Sequence, residues 1–184
     1  ALHYFSKKFF APHLIAVEEK SGKLIVSVSN DTPQAAAYQV LYRYLDFAGN
    51  VLDEKRLTAA VEKTADMDVL EIPTPFGADA ADKLVYVQLC DMDGNVLSEN
   101  YYQHCLDREI AYPKVNIQIK AIDDYTLEVT ADTFVKYAFL QCGGTDRIFS
   151  DNFFCLYPGQ TKRITSAEKL DVNNLTVRSV NQVK

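Results

Sequence analysis

Tryptophan is absent from the 184 residues, methionine occurs twice and histidine three times, and there are four cysteines, seven glycines and six prolines. Each shortage excludes something. Cys90, Cys105, Cys142 and Cys155 are too few and too scattered for a disulfide scaffold, and no Cys-x-x-Cys pair offers a zinc or redox site. They read as mostly buried thiols, with one alternative open: in an exported parent Cys142 and Cys155 would pair, because they flank one turn region. His3, His13 and His104 show no His-x-x-x-His or His-x-His spacing, so no metal site is expected. Gly-x-Ser-x-Gly, a glycine-rich phosphate loop and the dinucleotide fingerprint are missing, and the lone pair Gly143-Gly144 reads as a turn. No cofactor is expected. No stretch approaches the ~20 apolar residues of a membrane span, and the start, Ala1 to Phe10, lacks the layout of a signal peptide. Ala1 in place of an initiator Met leads us to expect a trimmed or excised piece, so the compartment is left unassigned, with a periplasmic or secreted parent as one option. The chain is also shorter than the about 250 residues of an eightfold β/α barrel.

What is present is an ordinary folding composition, 48% hydrophobic and 24% charged, far from the regime of disorder. Nineteen basic against 25 acidic residues give a net charge of −6. That balance removes the electrostatic footprint expected of a partner for nucleic acid or an anionic membrane.

Period-two alternation dominates. Val115–Lys120 and Leu127–Thr130, separated by the turn Asp123-Asp124, place β-branched and polar side chains on opposite faces. Leu24–Ser29 does the same and leaves through Asn30-Asp31-Thr32-Pro33. Further strands are expected over Tyr38–Phe47, Leu84–Asp91, Val96–His104, Thr133–Gln141 and Asn174–Val180. The pattern Asp-x-x-Gly-Asn-Val-Leu occurs twice, from Asp46 and from Asp91, and each copy reads as a hairpin because Gly and Asn take positive φ at low cost. Asp91-x-Asp93-Gly94 resembles a calcium loop only faintly, lacking the third acidic position and the bidentate Glu. Ala78–Asp82 reads as a loop.

Only the first ten residues look helical, with Leu2, Phe5 and Phe9 on one stripe and Lys7 and Lys8 off it. The charged segment Leu106–Lys114, with Pro113, separates two sets of strands. The expected fold is therefore all-β, two tandem immunoglobulin-like β-sandwich domains after a short N-terminal helix left over from a preceding domain. The expected boundaries are 1–12 for helix and linker, 13–109 for the first sandwich and 110–184 for a smaller one. Eleven Tyr and ten Phe could build a sugar-stacking platform, but the absence of Trp and the alternation of Tyr38, Tyr42 and Tyr44 along one strand favour core packing. No local pairing of carboxylates argues for acid/base chemistry. Asn30-Asp31-Thr32 and Asn174-Leu175-Thr176 match the glycosylation acceptor pattern, with chance as the default reading.

Two segments go further. Ser150-Asp151-Asn152-Phe153-Phe154-Cys155-Leu156-Tyr157-Pro158-Gly159-Gln160 resembles the Ser-Asp-Asn-aromatic-Phe-x-Leu-x-Pro-Gly-Glu run in the last immunoglobulin-like domain of β-mannosidases of the family-2 glycoside hydrolases. Ala1–Pro12 is similar to the segment in which those enzymes end the last barrel helix. Gln160 stands where the family usually has Glu, and Cys155 where Asp is common; both are expected at outward or turn positions. The resemblance implies a non-catalytic accessory region whose partner is the catalytic barrel of the same parent, with Leu2, Phe5 and Phe9 as barrel-interface candidates. It implies no catalytic residue here, because the family's acid/base Glu typically follows an Asn and this chain has no Asn-Glu dipeptide. Two alternatives stay open: a carbohydrate-binding module, and an adhesive immunoglobulin-like module of a cell-surface protein.

Overall fold

A computed structural model describes residues 1–143 and 147–182, so Gly144 of the expected turn lies outside the described residues. The chain is all-β apart from helix α1 (Leu2–Phe9) and short 3-10 turns, and it forms tandem immunoglobulin-like sandwiches. Two compact units are resolved, a larger one of Ser6–Asp46 with Asn50–Ala111 and a smaller one of Ala1–Phe5, Phe47–Gly49 and Tyr112–Lys184.

The larger unit packs a three-stranded sheet, β1 (His13–Lys20), β2 (Lys23–Asn30) and β5 (Ala65–Pro73) in the order β1-β2-β5, against a four-stranded one. The latter contains β3 (Ala36–Asp46), β4 (Val51–Val61), β6 (Lys83–Cys90) and β7 (Val96–Tyr102) in the order β4-β3-β6-β7, all antiparallel. Alternation along β3 sends Tyr38, Val40, Tyr42 and Tyr44 inward, where they pack with Val85, Val87 and Leu89 of β6 and with Leu24, Val26 and Val28 of β2. The tyrosines are core residues, as their spacing predicts. Ser21-Gly22, both at positive φ, close the two-residue hairpin between β1 and β2. Asn30 is buried, and its side-chain amide donates to the carbonyls of Gln34, Val61 and Glu62, so this acceptor match is a structural plug and not a glycosylation site. The loop around Ala78 contains a single 3-10 turn, Ala80–Asp82.

In the smaller unit, β8 (Ile117–Ala121), β9 (Thr126–Ala131) and β12 (Lys162–Thr165) form one sheet in the order β12-β9-β8. The other contains β10 (Val135–Cys142), β11 (Phe154–Leu156) and β13 (Leu175–Arg178) in the order β11-β10-β13. Leu127, Val129 and Ile164 of the first sheet share a core with Leu140, Phe154 and Leu156 of the second. No disulfide joins the four cysteines; Cys142 and Cys155 are buried and Cys90 and Cys105 half-buried. Register explains why Cys142 and Cys155 are not bridged to each other. Phe154 lies opposite Ala138 and Leu156 opposite Val135, so Cys142 is about five residues, roughly 17 Å, further along β10 than the point facing Cys155. Cys155 is also not outward as expected: all three residues of β11 are buried, so this short strand has no solvent face.

Candidate functional site

The outer face of the four-stranded sheet is where the fold gathers polar chemistry. Since inward positions on β3 are even-numbered from Tyr38 to Tyr44, the odd-numbered ones face outward and register with their neighbours. One row runs Arg56, Leu41, Gln88, Glu99 across β4, β3, β6 and β7, and the next runs Glu54, Arg43, Tyr86, Tyr101. Beyond the first row lie Thr58, Gln39 and Cys90. A groove of about 400 Å³ is lined by Gln39, Leu41, Arg56, Thr58, Gln88 and Cys90, with Val40 and Leu57 between them on their strands.

Hydrogen bonds hold this surface in place. Arg43 Nε donates to Glu54 Oε2 at 2.5 Å and Arg56 Nε to Glu54 Oε1 at 2.8 Å. The two guanidinium groups hold the Glu54 carboxyl below the usual carboxylate range, so it is an anion and not a proton donor. Gln88 Nε2 donates to the Tyr86 hydroxyl (2.7 Å), which donates to Glu99 Oε2 (3.1 Å), and the Cys90 thiol points at Gln88 Oε1 (3.6 Å). Burial, with Asp91 nearby, pushes the Cys90 thiol up and away from the reactive thiolate. The Tyr101 ring tilts against Tyr86 with centroids 5.0 Å apart.

A second cluster closes one end of the same unit. Glu19 Oε2 lies 2.7 Å from His104 Nδ1 and accepts from the Tyr102 hydroxyl at 3.2 Å, while Phe76 stacks on His104 at 5.3 Å. Burial works to raise the Glu19 carboxyl, but the bonds from His104 and Tyr102 outweigh it and the group titrates below its ordinary 4.5. Burial and the Glu19 charge push Tyr102 up to about 12. At Asp91, both carboxylate oxygens accept from Asn95, through its backbone N–H (2.8 Å) and its side-chain amide (2.8 Å), so this loop is a self-satisfied hairpin turn. Among the described residues no group of three or more His, Cys, Asp or Glu side chains is arranged to hold a metal ion.

The motif residues of the smaller unit are structural in their contacts. Ser150 and Thr165 exchange two bonds, Ser150 N to Thr165 O (2.7 Å) and Thr165 N to Ser150 Oγ (2.9 Å). Asp151 pairs with Lys162 at 3.2 Å. Asn152 is buried and its amide stands in for a strand neighbour, accepting from Leu140 N (2.8 Å) and donating to Leu140 O (3.0 Å). Phe153 adopts φ +56°, which turns its ring outward onto Phe139 at 4.7 Å while Phe154 enters the core. Pro158-Gly159 form the tight turn expected of them, with Gln160 N donating to Tyr157 O. The turn position of Gln160 is as predicted. The three helix residues divide: Leu2 and Phe9 are 80% and 69% exposed, whereas Phe5 packs edge-on against Tyr137 at 5.5 Å and near Phe153 at 6.3 Å. Alternation hid the outer face, because Arg43 and Gln88 interrupt apolar strands and read singly as surface residues; only the β3–β6 register brings them into adjacent rows.

Residues 22–104 match the family described as Mannosidase Ig/CBM-like domain, and residues 110–183 match the mannosidase immunoglobulin family described as Ig-fold domain. The chain belongs to the immunoglobulin-like domains of mannosidases. The resemblance carried by Ser150–Gln160 is borne out by these mannosidase-type domains. In fold they are similar to part of a β-D-mannosidase from Dictyoglomus thermophilum, with a TM-score of 0.83 at 22% identity over 97% of this chain and 23% of that one. They are similar also to an exo-chitosanase from Amycolatopsis orientalis, with a TM-score of 0.69 at 15% identity over 97% of this chain and 26% of that one. The chain thus spans about a quarter of the length of these solved relatives. No curated protein sequence matches it.

Proposed function

We propose that these mannosidase-type domains are a non-catalytic accessory region of a β-mannosidase-like glycoside hydrolase, bracing the catalytic barrel of the same parent chain. The observation that carries this reading is the succession of two mannosidase domain families over 22–104 and 110–183, in a chain matching only 23% of a β-D-mannosidase. The chemistry of the site supports it: the carboxylate beside the groove, Glu54, is locked between two arginines and unavailable as a general acid. Leu2, Phe5 and Phe9 would meet the barrel through the apolar stripe of α1.

Two measurements test the proposal. The purified chain should show no turnover of an aryl β-mannoside above the uncatalysed rate, and turnover would sink it. In the intact parent, Leu2→Asp with Phe9→Asp should lower the unfolding temperature of the barrel by several degrees, about what losing two buried apolar side chains implies. An unchanged unfolding temperature would remove α1 from the interface.

A further inference from the structure

Beyond mechanical support, we infer that the larger unit carries a binding groove for a neutral oligosaccharide on the outer face of its four-stranded sheet. Its volume of about 400 Å³ falls within the range of small-ligand sites, about 300–1,000 Å³. Its make-up suits a sugar. Leu41, 9% exposed, leaves a small apolar floor at the base, and Gln39, Thr58, Gln88 and Arg56 surround it with amide, hydroxyl and guanidinium groups. Planar amide and guanidinium forks match pairs of adjacent hydroxyls, one donor or acceptor to each.

Two further observations narrow the ligand. The charges on this face balance, Arg43 and Arg56 against Glu54 and Glu99, so no net field selects an anion or a cation. The polar groups are also held before any ligand arrives. Glu54 fixes the plane of the Arg56 guanidinium through Nε, and the terminal nitrogens make no other bond among the described residues. The chain of bonds from Cys90 through Gln88 and Tyr86 to Glu99 fixes the Gln88 amide. Groups already oriented lose little entropy on binding, which is what a weak, hydroxyl-rich ligand requires.

The test is titration of the whole chain with β-1,4-mannotetraose, followed by two-dimensional amide NMR. The expected result is saturable binding with a Kd on the order of 1 mM, with shifts centred on β3, β4 and β6. Arg56→Ala, and independently Thr58→Phe, which fills the groove at an exposed edge-strand position without touching the core, should each weaken binding at least about fivefold. Tyr137→Ala, on the smaller unit, should leave it unchanged. Far-UV circular dichroism checks that the variants keep the native sheets. Absence of saturation up to about 20 mM, or wild-type affinity in either groove variant, overturns the inference. Neither result bears on the supporting role, which the barrel's unfolding temperature tests separately.

Discussion

Asp46–Leu52 and Asp91–Leu97 share a sequence pattern and a geometry: in each, the Asp carboxylate accepts from the Asn four residues on, and the Gly adopts φ near +90°. Their surroundings differ. A Cβ on Gly94 would meet nothing within 4 Å, whereas one on Gly49 would lie 2.9 Å from Pro158 Cβ. Gly94→Ala should therefore cost only the left-handed penalty, about 1 kcal/mol, and Gly49→Ala at least about twice that, measured by urea unfolding. Equal losses would contradict the Pro158 contact. Asn152 gives a sharper case. Replacing it by Leu keeps the volume but leaves the Leu140 N–H and C=O unpaired in the core, so a loss of about 3 kcal/mol is expected by the same measurement. The motif Ser-Asp-Asn was legible as a strand entry; that its Asn would replace a missing stretch of β11 was not, because nothing local records which carbonyl lies opposite.

At the scale of elements, every central strand was legible, as were the edge strands β7, β8 and β13, while other edges were not. The central strands β2, β3, β6, β9 and β10 all have a strand expected from alternation. β1 and β5 do not, and β4 is foreshadowed only as the return arm of a hairpin; all three are edge strands. An edge strand buries less on its inner face and carries charge to discourage further pairing, as Asp53, Glu54, Lys55 and Arg56 do on β4, and this erodes the period-two signal. The contact of β1, in one sheet, with the end of β7 and the residues after it, in the other, rests partly on Glu19, Tyr102 and His104. Because the folded Glu19 titrates below 4.5, the unfolded chain binds more protons between the folded value and 4.5. Stability therefore rises with pH through that window and is lost as pH falls through the folded value. Glu19→Gln should lower stability near pH 7 and flatten this acid limb in unfolding-temperature measurements between about pH 3 and 6. An acid limb as steep as wild type would show that other carboxylates carry it.

For the molecule as a whole, composition excluded more than it specified. A net charge of −6 and the absence of Trp argued against nucleic acid and against a large stacking platform, and neither could reveal that polar residues scattered over β3, β4 and β6 converge on one groove. Convergence is a property of register, and register here is set by partners 11 to 51 residues apart, from Arg43–Glu54 to Gln39–Cys90. The helix stripe was legible because three- and four-residue spacing is local. Leu2, Phe9 and Phe10 remain 80%, 69% and 80% exposed, an apolar surface that water-facing helices of eight residues rarely present. If that surface is the face meant for the barrel, the folded chain by itself should bind the apolar dye ANS, and Leu2→Ser/Phe9→Ser/Phe10→Ser should abolish most of the fluorescence while leaving the far-UV β-sheet signal in place. Unaltered dye fluorescence in the triple variant would locate the sticky surface elsewhere and take away the physical basis for docking through α1.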